Sequence, residues 1–124
     1  MKNQMLKTLF LVALVLIIPV SAMANKTSVE LTAPEKAEKG SEVTVVIHVK
    51  HMGNSATHFT DWVSVKINDK EVKRWEYNKK ERPEAGNFTL EYKFVLNEKS
   101  KIVIQGNCNK HGSAGPKEVV IDVM

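Results

Sequence analysis

The stretch Glu42-Val43-Thr44-Val45-Val46-Ile47-His48-Val49-Lys50 decides the fold class. Val43, Val45, Ile47 and Val49 take every second position, with Thr44, Val46, His48 and Lys50 between them. Side chains two residues apart share one face of a strand, so this segment has one apolar face and one mainly polar face. Phe88 to Leu96 repeats the pattern through Phe88, Leu90, Tyr92, Phe94 and Leu96, with Val95 out of step. Phe59 to Ile67 carries Trp62, Val63, Val65 and Ile67, and Asn68-Asp69-Lys70 is a hairpin signal before a return strand, Val72 to Tyr77. Thr27 to Thr32 alternates weakly, Pro34 to Gly40 reads as a polar turn, and Lys79 to Asn87 is a loop with Pro83 and Gly86. Lys101 to Gln105 and Glu118 to Val123 complete the set. No helical period occurs. Seven short strands with turn signals between them predict an all-β, immunoglobulin-like, seven-stranded antiparallel β-sandwich. The Cys-Trp-Cys core of antibody domains is absent, so only the architecture is implied.

Residues 1–24 stand apart from this pattern. Lys2 and Lys7 form a positive start, Leu9 to Val20 is almost unbroken apolar sequence, and Ala22-Met23-Ala24 is an A-x-A cleavage signature. Together they read as a secretory signal peptide cut before Asn25. The apolar run is short of the roughly 20 residues of a comfortable membrane span, and an uncleaved anchor is the blander alternative. The mature chain, 25–124, is then a single exported domain, periplasmic or extracellular, large enough for one core. Without Lys2 and Lys7, sixteen basic residues face fourteen acidic ones, a net charge of +2. The two signs interleave, as in Lys79-Lys80-Glu81-Arg82-Pro83-Glu84. No face is built for phosphates, and nucleic acid is not among the expected partners.

The chemistry gathers in few residues. Cys108 is the only cysteine, three residues before His111, and the other histidines, His48, His51 and His58, lie in one segment upstream. An exported chain with one cysteine makes no internal disulfide, and a bare thiol in an oxidising compartment is a liability. Ligation to a metal protects it. A thiolate with neutral imidazoles suits iron, copper or zinc and excludes magnesium and calcium, which take oxygen ligands. Cys108 and His111 are read as lying in a loop after the strand that ends near Gln105. Gly106, Gly112 and Gly115 flank them and let it turn tightly. His51 and His58 bracket the loop 52–57. A Ser-His-Asp or Cys-His hydrolase finds no support, for no nucleophile elbow accompanies these residues. A blue-copper site with Met52 is disfavoured, because no methionine follows His111 in its loop.

These residues resemble the iron domain of the superoxide reductases, the desulfoferrodoxin and neelaredoxin family. His51-Met52, then His58-Phe59-Thr60-Asp61-Trp62, is similar to that family's His-Pro-Met segment and its later histidine before an aromatic residue and a Trp-bearing strand. Cys108-Asn109-Lys110-His111-Gly112 matches the closing Cys-Asn-x-His-Gly element. Pro83-Glu84-Ala85 and Phe88 resemble a Pro-Glu-Ala-x-Phe element with extra residues. The likeness runs from about Val29 to Val123.

The resemblance implies a mononuclear non-haem iron with Cys108 as axial thiolate and His51, His58 and His111 as equatorial ligands. It further implies reduction of superoxide to hydrogen peroxide with an external electron-donor protein, and leaves a homo-oligomer open. The chain also departs from the family. The stretch Lys26 to Pro34 has no histidine where the family has its first ligand, and no lysine matches the family's superoxide-guiding one. The proline after His51 is missing, and Ser113-Ala114-Gly115 replaces an aromatic residue. His48 is the candidate for the fourth imidazole. It has the parity of the polar face, so it reaches the site only through a bulge or bend. Glu30 is a further oxygen donor to weigh. The missing histidine keeps open a non-catalytic alternative, a metal-binding or sulfur-carrier-like sandwich. Trp62 and Phe88 are read as core residues, and Trp75 and Tyr77 are left undecided between surface aromatics on a hairpin and part of a partner patch.

Overall fold

In a computed structural model, residues 25–124 are described; the expected signal peptide, 1–24, lies outside them. The elements are β1 (Ser28–Thr32), β2 (Lys36–Ala37), β3 (Glu42–Lys50), β4 (Thr60–Ile67), β5 (Lys70–Glu76), β6 (Phe88–Val95), β7 (Ser100–Cys108) and β8 (Lys117–Val123). Among the described residues there is no helix. Two sheets face each other, one ordered β1-β3-β6 and the other β2-β8-β7-β4-β5. The all-β sandwich expected from the alternating segments is thus present, with seven main strands. The turn expected at 34–40 adds a two-residue strand, β2, which pairs in parallel with β8 through Lys36↔Asp122 and Ala37↔Val123. Its two residues are too few to leave a period in the sequence.

The core follows the parity of β3. Val43, Val45, Ile47 and Val49 are all buried, and they face Val63 and Val65 of β4, Ile102 and Ile104 of β7 and Ile121 of β8. Each such side chain contributes about 1.5–3 kcal/mol relative to an exposed one. The β4–β5 hairpin closes with Ile67↔Lys70, leaving Asn68 and Asp69 as the loop at φ 49° and 71°. Both are left-handed, as a type I′ turn requires, and Asn and Asp tolerate that region best after glycine.

Two departures from the sequence reading bear on function. β7 continues past Gln105 to Cys108, so the cysteine ends a strand rather than sitting within a loop. And Trp62 lies half-buried on the outer face of its sheet, with the Arg74 guanidinium 4.3 Å above its ring. Val63 and Val65 take inward positions of β4, so Trp62 beside them turns outward, and a bulge separates it from Thr60. Thr60 pairs with Cys108 and Trp62 with Asn107, so Asp61 is an extra residue in β4. It resets the alternation, and Thr60 and Trp62 point to opposite faces. Phe88 is in the core as expected, and Tyr77 packs edge-on against it at 5.8 Å. Trp75 joins the same cluster from the sheet edge.

Candidate metal centre

One end of the sandwich gathers the chemistry. β3 stops at Lys50, β4 starts at Thr60 and β7 stops at Cys108, so the 51–59 loop and the 108–112 segment meet there. His51 is the next residue of inward parity after Val49, and it is 6% exposed. Cys108 is 1% exposed. His51 Nε2 lies 3.2 Å from His58 Nε2, and the donor atoms of His51, His58 and Cys108 all fall within 4.8 Å of one another.

Local bonding explains this convergence. Cys108 and Gly112 exchange backbone hydrogen bonds, both 2.9 Å, closing Cys108-Asn109-Lys110-His111-Gly112 into a tight turn. Gly112 stands at φ 80°, a conformation other residues adopt only under strain. Thr27, the residue before β1, braces this turn from behind. The Thr27 N–H donates to the Gly112 carbonyl at 3.3 Å, the Ala114 N–H donates to the Thr27 carbonyl at 2.9 Å, and the buried Thr27 and Thr60 hydroxyls bond at 2.9 Å. Gly106 permits the approach, since a Cβ there would stand 2.8 Å from Thr27 Cγ2.

The 51–59 loop is braced as firmly. The His51 N–H donates to Asn87 Oδ1 at 3.2 Å, and Asn54 Nδ2 donates to the Pro83 carbonyl at 2.7 Å. Gly86 lies against His51, where a Cβ would sit 2.5 Å from the His51 carbonyl oxygen. The 78–87 loop, which carries the Pro83-Glu84-Ala85 element, therefore supports His51. Asn87 and Gly86 carry no signal that would mark them as site residues in advance.

The donor set fits a metal. Two ligands about 2.1 Å from one ion, at angles between octahedral and tetrahedral, stand roughly 3 to 3.4 Å apart, and the two Nε2 atoms stand 3.2 Å apart. Burial lowers the pKa of His51 below its ordinary value, and the rings of His58 and His111 push the same way. The backbone of Gly53 and Asn25 opposes them. A neutral His51 keeps its lone pair available. Its Nδ1 is buried without a close hydrogen-bond partner. The Lys110 N–H donates to Cys108 Sγ at 3.4 Å.

The remaining histidines part company. His111 is exposed and its ring stands edge-on to half-buried His58 at 5.0 Å, beside the cluster of His51, His58 and Cys108. His48 is not brought to the cluster. β3 pairs through it without any register shift, Glu30↔His48 on one side and His48↔Thr89 on the other, and its Nδ1 lies 3.4 Å from the Thr89 hydroxyl on the outer face. The bulge that would have turned it inward does not exist. Glu30 shares that outer face and pairs with Lys50 at 3.4 Å. A cavity of about 410 Å³ opens against His51, lined also by Lys26, Lys50, Met52 and Asn87.

Comparison with known proteins bears on this arrangement. Similar solved structures include a superoxide reductase (neelaredoxin) variant from Ignicoccus hospitalis. It is 21% identical, with a TM-score of 0.69, over 82% of this chain and 83% of that one. A candidate superoxide reductase from Thermotoga maritima is 25% identical, with a TM-score of 0.64, over 78% and 86%. The sulfur carrier protein SoxY from Chlorobium limicola, at 14% identity and a TM-score of 0.51 over 77% and 78%, shares the fold alone. Among curated proteins none matches by sequence. The desulfoferrodoxin family model matches residues 21–113, which takes in both histidine-bearing turns and the Cys108 segment. The chain belongs to the desulfoferrodoxin family.

Proposed function

We propose that this chain is an exported mononuclear non-haem iron protein that reduces superoxide to hydrogen peroxide, with the electron drawn from an external donor protein. The observation that carries the reading is the convergence of a buried thiol, Cys108, with the facing nitrogens of His51 and His58. These three would hold the iron, and exposed His111, its ring against His58, would complete the set. When bound, iron supplies a one-electron couple and a positive point for an anion. One superoxide, one electron and two protons give one hydrogen peroxide.

The protein's own part follows from its residues. Cys108 would supply the sulfur donor, and the Lys110 N–H at 3.4 Å helps hold that sulfur in place. Burial keeps His51 neutral and so fit to ligate. Lys26 and Lys50 line the cavity against His51 and raise the local positive potential, which favours approach of an anion. Packing at the end of a rigid sandwich excludes water from the thiolate side. A sulfur carrier would need its thiol offered to solvent, and the 1% exposure of Cys108 speaks against that role. Export rests on the 1–24 segment, and N-terminal sequencing of protein recovered outside the cytoplasm should begin at Asn25.

The test is reconstitution with iron(II) followed by pulsed generation of superoxide. The reductase reading requires one peroxide per superoxide and no evolved oxygen, plus a visible thiolate-to-iron band in the oxidised protein. A superoxide lifetime equal to that with metal-free protein would defeat it.

A further inference from the structure

Asn109 makes more directed contacts at this end of the sandwich than its place in a turn requires. Its Oδ1 accepts the Phe59 N–H at 2.9 Å, its Nδ2 donates to the Thr57 carbonyl at 3.2 Å, and its own N–H donates to the Phe59 carbonyl at 3.1 Å. Thr57 and Phe59 are the two neighbours of His58. One planar amide therefore grips the backbone on both sides of one candidate ligand while its own residue follows directly after the other, Cys108. Cys108 Sγ lies 4.0 Å from the same Oδ1. The partners fix the amide's orientation, for the Phe59 N–H that meets Oδ1 can only donate and the Thr57 carbonyl that meets Nδ2 can only accept. With both ends held, the side chain has no second rotamer that keeps its bonds.

We propose that Asn109 is a positioning residue, setting the spacing between the His58 imidazole and the Cys108 thiolate. The proposal rests on reading this site as a metal centre. The plainer account, an asparagine that merely closes a loop, makes a different claim. A loop closure changes the stability of the metal-free fold, whereas a spacer changes metal affinity and ligand geometry in a chain that remains folded. Groups that orient metal ligands in this way typically change affinity 10- to 100-fold when removed.

Cobalt(II) is the probe, because its visible bands report ligand geometry and its near-ultraviolet thiolate band reports the Cys108 bond. Titration well below the melting temperature should show Asn109→Leu binding cobalt(II) about 10- to 100-fold more weakly than wild type. Its bands should be shifted, and the metal-free melting temperature should stay within a few degrees. Asn109→Asp keeps the acceptor for Phe59 but turns a second oxygen toward the Thr57 carbonyl. It should fall between the two, and it carries the test if the leucine variant does not fold. Asn109→Gln carries the same groups one methylene further out and should not restore wild-type affinity. Wild-type affinity and spectrum in both Asn109→Leu and Asn109→Asp would overturn the proposal and leave the metal centre standing. A wild-type chain that binds no cobalt(II) would end the metal-centre reading, and this proposal with it.

Discussion

Gly53 stands so close to His58 that a Cβ at residue 53 would lie 2.8 Å from the ring's Nδ1. The glycine is thus a wall of the imidazole's slot rather than a hinge. Gly53→Ala should push the ring away from His51 and Cys108 while leaving the strands untouched. We expect metal affinity to fall by about tenfold or more, with metal-free stability changed by no more than roughly 1 kcal/mol. Isothermal titration paired with thermal melts would check both halves, and unchanged affinity would show that the ring needs no such wall.

Cys108→Ser should remove the thiolate-to-metal band completely. It also places a hydroxyl in a site 1% exposed, which costs about 1–3 kcal/mol in the metal-free protein if the group goes unpaired. A variant that kept the wild-type oxidised spectrum would remove Cys108 from the ligand set.

His48→Ala should leave bound iron per chain at the wild-type value. The residue faces outward between Glu30 and Thr89, and surface changes of this kind usually stay within about 0.5 kcal/mol. If iron content drops as far as in His58→Ala, β3 must rearrange on metallation.

Tyr77 offers a pH test distant from the ligands. Burial, then the nearby Glu84 carboxylate, raise its pKa above the ordinary 10.0. The unfolded chain therefore gives up this proton before the folded one does. Tyr77 adds nothing to the pH dependence below about pH 10, and stability falls as pH rises from there through the folded pKa. Denaturant midpoints between pH 9 and pH 11 should drop less in Tyr77→Phe than in wild type, and equal slopes would mean the shift is absent.

Much of the fold was legible because β3 and β6 alternate strictly and the Asn68-Asp69 pair admits few conformations other than a hairpin turn. Trp62 was misplaced because a large aromatic suggests core, whereas the inward parity of Val63 and Val65 turns it to the outer face. The end of β7 was missed because Gly106 and Asn107 look like strand breakers, whereas Gly106 is there to let Thr27 approach. Of the site, the residue types and the Cys108 turn could be read directly, and parity alone set His48 apart from His51. The braces could not be read, because Asn87 and Asn109 resemble any loop asparagine until the carbonyls and N–H groups across from them are in place.

The bridge between Thr27 and Gly112–Ala114 also fixes when the centre comes into being. It joins the beginning of the domain to nearly its end, and such distant pairings are the slowest to form, since the intervening chain must first be organised. Two imidazoles are synthesised early, but the sulfur and the turn that aims it arrive only with the seventh strand. A nascent or truncated chain therefore offers a passing ion two weak nitrogens and nothing to retain it. If the site holds a metal, capture would then be a late event, waiting on the seventh strand and the turn that follows it.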